Sequence, residues 1–353
     1  MDEKERYEKI DIPFYNTRIS PLLPPEVLDF HSHVWRMEHW KSVPWRTEKA
    51  GARYLITEEH YDVEQLLADG KRVFPDRKYS AVVFGYPSPA ADLEKTNEYA
   101  STAVAKRGLY PLIITGKGIH GRKSLERFFE KRIYFGYKVF LNWLGDDYGN
   151  IKIEDMLGQE EMGLADKYRL IVLLHVPGRE RISDPEVQRG LAGLAEKYRG
   201  ASIVLAHCGR AFQPDVIMGS LNSIKDFQNI YFDTSMVMDP TVFEVLFNTV
   251  GPQRVLFGTD FPVAAMRGRR IYVMDHWVDV VLEGYQQSAF RLASNKIRAT
   301  FMVYEIALGI ARAGYMCGLS ENRIRDIFYS NGMSLLEKVM NGEQLRKAQE
   351  LWR

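Results

Sequence analysis

Short, apolar, β-rich runs alternate with longer helical patterns along almost the whole chain, and this alternation restricts the fold more than any other feature. The runs cover residues 27–30, 81–84, 109–114, 137–141, 170–176, 202–206, 230–232 and 254–257. Their hydrophobicity is nearly continuous, which suits parallel strands buried on both faces. Between them lie amphipathic stretches such as residues 125–131, 185–198 and 241–249, spaced for helices. Eight β-α units in series are what a TIM (β/α)8 barrel requires. An open, doubly wound sheet is the competitor, because alternation alone does not show closure. The 353 residues, 46% hydrophobic, supply core enough for one such domain over 1–353, with residues 1–22 as an N-terminal extension.

Two segments break the alternation. Residues 36–78, with Trp40, Trp45 and His60, follow the first strand, and residues 263–300 follow the eighth. In a barrel both long insertions sit above the C-terminal strand ends, the face that carries active sites. Residues 321–353 read as closing helices. The formal net charge of +1 offers no field for nucleic acid or an anionic membrane. No apolar stretch approaches the roughly 20 residues needed to span a bilayer. The charged start, Met1 to Arg6, shows no leader peptide, and two cysteines make no disulfide framework. These features lead to the expectation of a cytoplasmic enzyme with a small-molecule substrate, and the aromatic excursions allow a homodimer.

Several strand ends carry chemistry. In Val27-Leu28-Asp29-Phe30-His31-Ser32-His33, alternate residues Asp29, His31 and His33 share one face of a strand. Later runs end in Leu174-His175-Val176-Pro177-Gly178, Ala206-His207-Cys208-Gly209-Arg210 and Gly258-Thr259-Asp260-Phe261-Pro262. Each apolar strand thus terminates on a metal-competent side chain followed by Gly or Pro. Barrel strands ending this way aim their side chains at one shared volume. Imidazoles with a carboxylate suit Zn²⁺, with Mn²⁺ or Fe²⁺ as alternatives in a more oxygen-rich site. Asp29, one step deeper, is expected to support the ligands rather than join them.

This pattern resembles the amidohydrolase superfamily, in its branch of small metal-dependent barrels that also contains non-oxidative decarboxylases. The resemblance extends to Asn97 after the second strand, to Gly136-Tyr137-Lys138-Val139-Phe140, and to Asp326-Ile327-Phe328-Tyr329-Ser330-Asn331-Gly332. It implies one divalent ion, most simply zinc, held by His31, His33, His175 and Asp260, with His207 beside the metal or contacting substrate. Asp260 then takes the proton of the attacking water, and His207 polarises the attacked carbonyl. The implied reaction is hydrolysis of an amide, ester or lactone of a small organic acid. The alternative is a metal-dependent carboxy-lyase acting on an aromatic or unsaturated acid. A barrel that keeps its ligands without catalysis is a third reading. The sequence departs from the branch at Phe140, where a histidine is usual.

Other residues invite competing readings. Lys138 matches the strand-four lysine that two-metal relatives carboxylate, yet its place suggests a side chain too deep in the strand. Gly116-Lys117-Gly118-Ile119-His120-Gly121 matches a dinucleotide fingerprint but follows the third strand, not the first, which favours an ordinary loop. Arg267, Arg269 and Arg270 read as a solvated or interfacial cluster, or as a carboxylate binder. Arg210 is the better candidate for an anionic substrate group, with Trp35 and Trp143 as walls for a ring. His39, His60 and His276 lack a strand-end setting.

Overall fold

The computed structural model describes residues 2–42, 59–86, 88–144, 148–273, 276–282, 289–291 and 298–353. Nine of its strands form two parallel sheets. The first holds β1 (Glu26–His33), β2 (Lys78–Phe84) and β3 (Leu109–Pro111). The second runs in sequence order through β4 (Ile113–Ile114), β5 (Gly136–Val139), β6 (Ile171–Leu174), β7 (Ser202–Leu205), β8 (Ile230–Asp233) and β9 (Val255–Leu256). Each expected run therefore becomes strand, and the run at 109–114 is split by Leu112, whose N–H still bonds Val83.

The two sheets are also tied through their outer members. Phe30 N–H donates to Phe257 O at 2.7 Å, Asp260 N–H to His31 O at 2.8 Å, and His33 N–H to Phe261 O at 3.0 Å. The first and last strands thus exchange backbone bonds beside the residues singled out for chemistry. Gly136 opens β5 where a Cβ would lie 1.9 Å from Ile171 O, so only glycine permits that approach.

Helix starts are written locally. Asp184-Pro185 and Asp239-Pro240 pair an N-cap carboxylate with a proline at the first helical position, opening helices Pro185–Lys197 and Pro240–Thr249. Asp62 and Gln65 cap helix Val63–Val73 reciprocally. This helix occupies the later part of the first excursion; Trp45 lies outside the described residues. Residues 3–22 are helical and not merely appended, since Tyr15 and Ile19 are fully buried. The second excursion contributes β10 (Gly268–Val273), β11 (His276–Val281) and β12 (Ala289–Arg291), which pair as a separate sheet.

Two residues of the family resemblance serve the backbone. Asn97 donates to Ile114 O at 2.9 Å and accepts from Ile114 N–H at 2.7 Å. Asn331 donates to Pro252 O and Val255 O, both at 2.9 Å. Each satisfies main-chain groups at a strand end that a neighbouring strand cannot reach. Among the described residues no helix is long and apolar enough to cross a membrane, and Cys208 and Cys317 are free thiols.

Candidate active site

Polar side chains from β1, β5, β8 and the segments after β6, β7 and β9 meet at one end of the strands. His31, His207 and Asp260 each place a ligand-type atom within 4.8 Å of the others. His33 Nε2 lies 3.0 Å from Asp260 Oδ1, and His31 Nε2 lies 3.4 Å from the same oxygen. His175 stands at the edge of this group, its ring 5.1 Å from that of His207 and stacked at 4.8 Å on Phe140. Its buried Nδ1 has no hydrogen-bond partner among the described residues. Gly258, directly after β9, leaves room for this convergence: a Cβ there would lie 3.1 Å from His31 Cβ.

The outer nitrogens fix the tautomers. His31 Nδ1 faces Asp233 Oδ2 at 2.9 Å, His207 Nδ1 faces Ser235 O at 3.0 Å, and His33 Nδ1 faces Gly85 O at 3.3 Å. Carboxylate and carbonyl oxygens only accept, so His31 and His207 carry their proton on Nδ1 and present a lone pair at Nε2. His33 Nε2, by contrast, faces Asp260 Oδ1 at 3.0 Å, closer than its Nδ1 to Gly85 O, and donates there. Burial holds His33 and His175 below the ordinary histidine range and brings His207 down to about 3. Burial by itself would raise the Asp260 carboxyl, but the hydrogen bond from His33 and the neighbouring imidazoles of His31 and His207 hold it well below the usual range. The lone pairs of His31 and His207 therefore stand beside an ionised carboxylate, an electron-rich focus that calls for a cation.

Beneath the focus lies a support that the strand-end reading missed. Asp233 closes β8 and accepts from His31 and from the His207 N–H at 3.0 Å, while Ser235 Oγ bonds Asp233 and His207. The run ending Phe232-Asp233-Thr234-Ser235 carries the same signal as the others, an apolar strand ending on a carboxylate. Asp29 takes the place expected of it: it is fully buried and accepts from His31 N–H at 3.0 Å, Thr259 N–H at 2.9 Å and Tyr79 OH at 2.7 Å, and from the Ser32 and Thr259 hydroxyls.

The remaining candidates divide between this site and other parts of the fold. Lys138 is not too deep in its strand: Nζ reaches His31 Nε2 at 3.2 Å, and burial draws its pKa down to about 8 against the pull of Asp233 and Asp260. Arg210 Nη1 donates to Val176 O at 3.1 Å, holding the turn after β6 close to His175. Trp35 is buried against Tyr61 and Tyr86, and touches the site through Tyr86, whose ring is 6.0 Å from His33. Trp143 lies on the turn Leu141–Leu144, and its side chain is outside the described residues. The arginine cluster binds the chain's own carboxylates: Arg267 to Asp11 and Glu3, Arg269 to Glu305, Arg270 to Asp279. Lys117 is spent on Glu154 O, and His120 on Thr115. His39 is buried and accepts from Arg36 N–H, and His60 pairs with Asp62.

The sequence pattern of the amidohydrolases matches residues 28–282. The chain belongs to the amidohydrolase family. It is an enzyme of that superfamily, with an α/β fold of parallel sheets. A zinc-bound amidohydrolase from Burkholderia multivorans shares the fold at 11% identity and a TM-score of 0.57, over 88% of this chain and 99% of that one. The 4-oxalomesaconate hydratase of Rhodopseudomonas palustris is 14% identical with a TM-score of 0.60, over 93% and 100%. The 5-carboxyvanillate decarboxylase of Sphingomonas paucimobilis is 12% identical with a TM-score of 0.55, over 89% and 99%. No curated protein matches the chain in sequence.

Proposed function

We propose that this amidohydrolase is a cytoplasmic (β/α)8-barrel enzyme that hydrolyses an amide, ester or lactone of a small organic acid with the help of one divalent metal ion. The reading rests on one observation: His31, His33 and His207 converge on the Asp260 carboxylate, His33 Nε2 at 3.0 Å and His31 Nε2 at 3.4 Å from Oδ1, with His207 within 4.8 Å. His31, His33, His175 and Asp260 would hold the ion, and Nδ1 of buried His175 has no hydrogen-bond partner among the described residues. A metal in such a site supplies Lewis acidity towards a substrate oxygen or a water molecule. Zinc suits this nitrogen-rich donor set best.

The protein groups divide the remaining work. Asp260, ionised at neutral pH, accepts the proton of the attacking water and passes it to the leaving group. Asp233 and Asp29 keep β1 and the segment after β9 in register around it. His207, neutral with its proton on Nδ1, offers a lone pair and not a proton. It stands beside the focus as ligand or acceptor, and polarising the attacked carbonyl calls for a proton on Nε2. Arg210, whose Nη1 also donates to Val176 O beside His175, would meet a substrate carboxylate at the rim.

Metal analysis of the purified protein, followed by a panel of lactones and amides of small acids, tests this reading. Stoichiometric metal with hydrolysis, both abolished in Asp260→Ala, is the expected result. Release of CO₂ from hydroxybenzoates or muconate-type acids, without hydrolysis, would move the enzyme to the carboxy-lyase reading, which the fold it shares with a decarboxylase keeps in view. Absence of metal together with full activity in His31→Ala would refute the site.

A further inference from the structure

Lys138 is a charged side chain in an unusual setting. It is fully buried, its ammonium lies over the Phe84 ring at 4.8 Å and 5.9 Å from the Phe140 ring, and it has no carboxylate within 4.0 Å among the described residues. Its hydrogen bond goes to His31 Nε2 at 3.2 Å. Because Asp233 fixes the proton of His31 on Nδ1, that Nε2 offers a single lone pair. One lone pair cannot serve an ammonium proton and a metal ion together.

Resting on the metal-site reading above, we propose that Lys138 is a resident cation that occupies His31 Nε2 until a divalent ion displaces it. The ammonium neutralises part of the electron-rich focus while the site waits for metal, and holds the His31 ring in its loading orientation between Nζ and Asp233. The faces of Phe84 and Phe140 stabilise the charge without trapping it in an ion pair, so it can be released. Displacement also sets the affinity. Metal must break the Lys138–His31 hydrogen bond and then share a low-dielectric site with the expelled positive charge. Lys138 in this role is a brake on metal binding, the opposite of a ligand.

The test is the zinc affinity of the whole protein, measured by competition with a chromogenic chelator, for wild type, Lys138→Met and Lys138→Arg. Lys138→Met, similar in length and uncharged, is expected to bind Zn²⁺ roughly tenfold or more tighter than wild type, while Lys138→Arg, which keeps the charge, binds no tighter. Equal or weaker binding by Lys138→Met overturns the proposal and leaves the metal site standing; no binding by any of the three overturns the metal site itself. Wild-type crystals grown with and without Zn²⁺ give a second measurement that no folding defect can obscure. Nζ should leave His31 Nε2 when zinc is present. A lysine nitrogen bonded to zinc, or a carboxylated Lys138 bridging two ions, refutes the displacement.

Discussion

Replacing Asp29 separates two things a buried carboxylate can do: accept hydrogen bonds and carry charge. Its two oxygens collect two backbone amides and three hydroxyls, and both Thr259 donors come from the segment after the last strand while Asp29 sits on the first. Asp29→Ala strands the His31 and Thr259 amides in a buried site. At about 2 kcal/mol for each unsatisfied donor, and with hydroxyls that find only partial substitutes, the loss is about 4 kcal/mol or more. Asp29→Asn keeps one oxygen for both amides, and the hydroxyls can rotate to accept from its NH₂. Burial drives the Asp29 carboxyl above its ordinary value despite the bonds from Ser32 and Thr259, so the neutral amide is also spared a desolvation cost. Its expected loss is about 1–2 kcal/mol. Urea unfolding monitored by circular dichroism reads both variants, with an unchanged m-value as the condition for comparison. Equal losses in the two would show that charge, not acceptance, is what the site needs. A loss below about 1.5 kcal/mol in Asp29→Ala would refute the assignment of Asp29 as the tie between first and last strands.

Three further outcomes are expected. The metal-free protein should lose stability on acidification: the folded pKa of His207, about 3, lies below the unfolded value near 6.5, so the unfolded chain takes up the proton first. That contribution is complete above pH 7, falls by about 2 kcal/mol by pH 5, and keeps falling towards the folded pKa; a flat urea midpoint between pH 7.5 and 5 would contradict it. Arg267→Ala leaves Asp11 buried without its partner and should cost about 3–5 kcal/mol, with residues 3–22 released to limited proteolysis before global unfolding. Asn97→Ala removes both bonds to Ile114 and should cost about 2 kcal/mol while leaving metal stoichiometry unchanged; a loss of metal instead would place Asn97 in the site.

Much of this arrangement can be read from residue types because the fold repeats one rule. An apolar parallel strand must end on its functional residue, since everything before it is buried on both faces of the sheet. His31, His33, His175, His207 and Asp260 obey that rule, and so does Asp233, whose carboxylate simply follows a shorter apolar run. What residue types do not carry is reach. The position of Lys138 in its strand is readable, but whether its amine arrives at His31 depends on the tilt of β5 against β1. The arginines at 267, 269 and 270 are close in sequence and end on three different elements: alternation along β10 sends Arg269 and Arg270 to opposite faces, and Arg267 precedes the strand. Asp279 lies directly opposite Arg270 in the β10–β11 register, while the partners of Arg267 and Arg269, Asp11 among them, are set by tertiary packing.

The backbone of the site carries a second, less legible signature. His207, Cys208 and Arg210 after β7, Met236 after β8 and Asp260 after β9 all adopt positive φ, between 53° and 69°. For residues with a Cβ this region costs about 1 kcal/mol each, and glycine would occupy it freely. The chain does use glycine at position 209, in the middle of the same turn, so the conformation was open to that solution at the neighbouring positions as well. Side chains kept where the backbone argues against them must return something glycine cannot. His207 and Asp260 return a lone pair and a carboxylate at the focus, Arg210 a guanidinium against the turn beside His175, and Cys208 a bond to Asp233 O at 3.3 Å. Strain of this kind persists only where the surrounding structure overdetermines it. The strands supply that constraint through Asp29 and Asp233, which is why the deepest carboxylates of the site hold backbone in place and the shallowest, Asp260, is left to do chemistry.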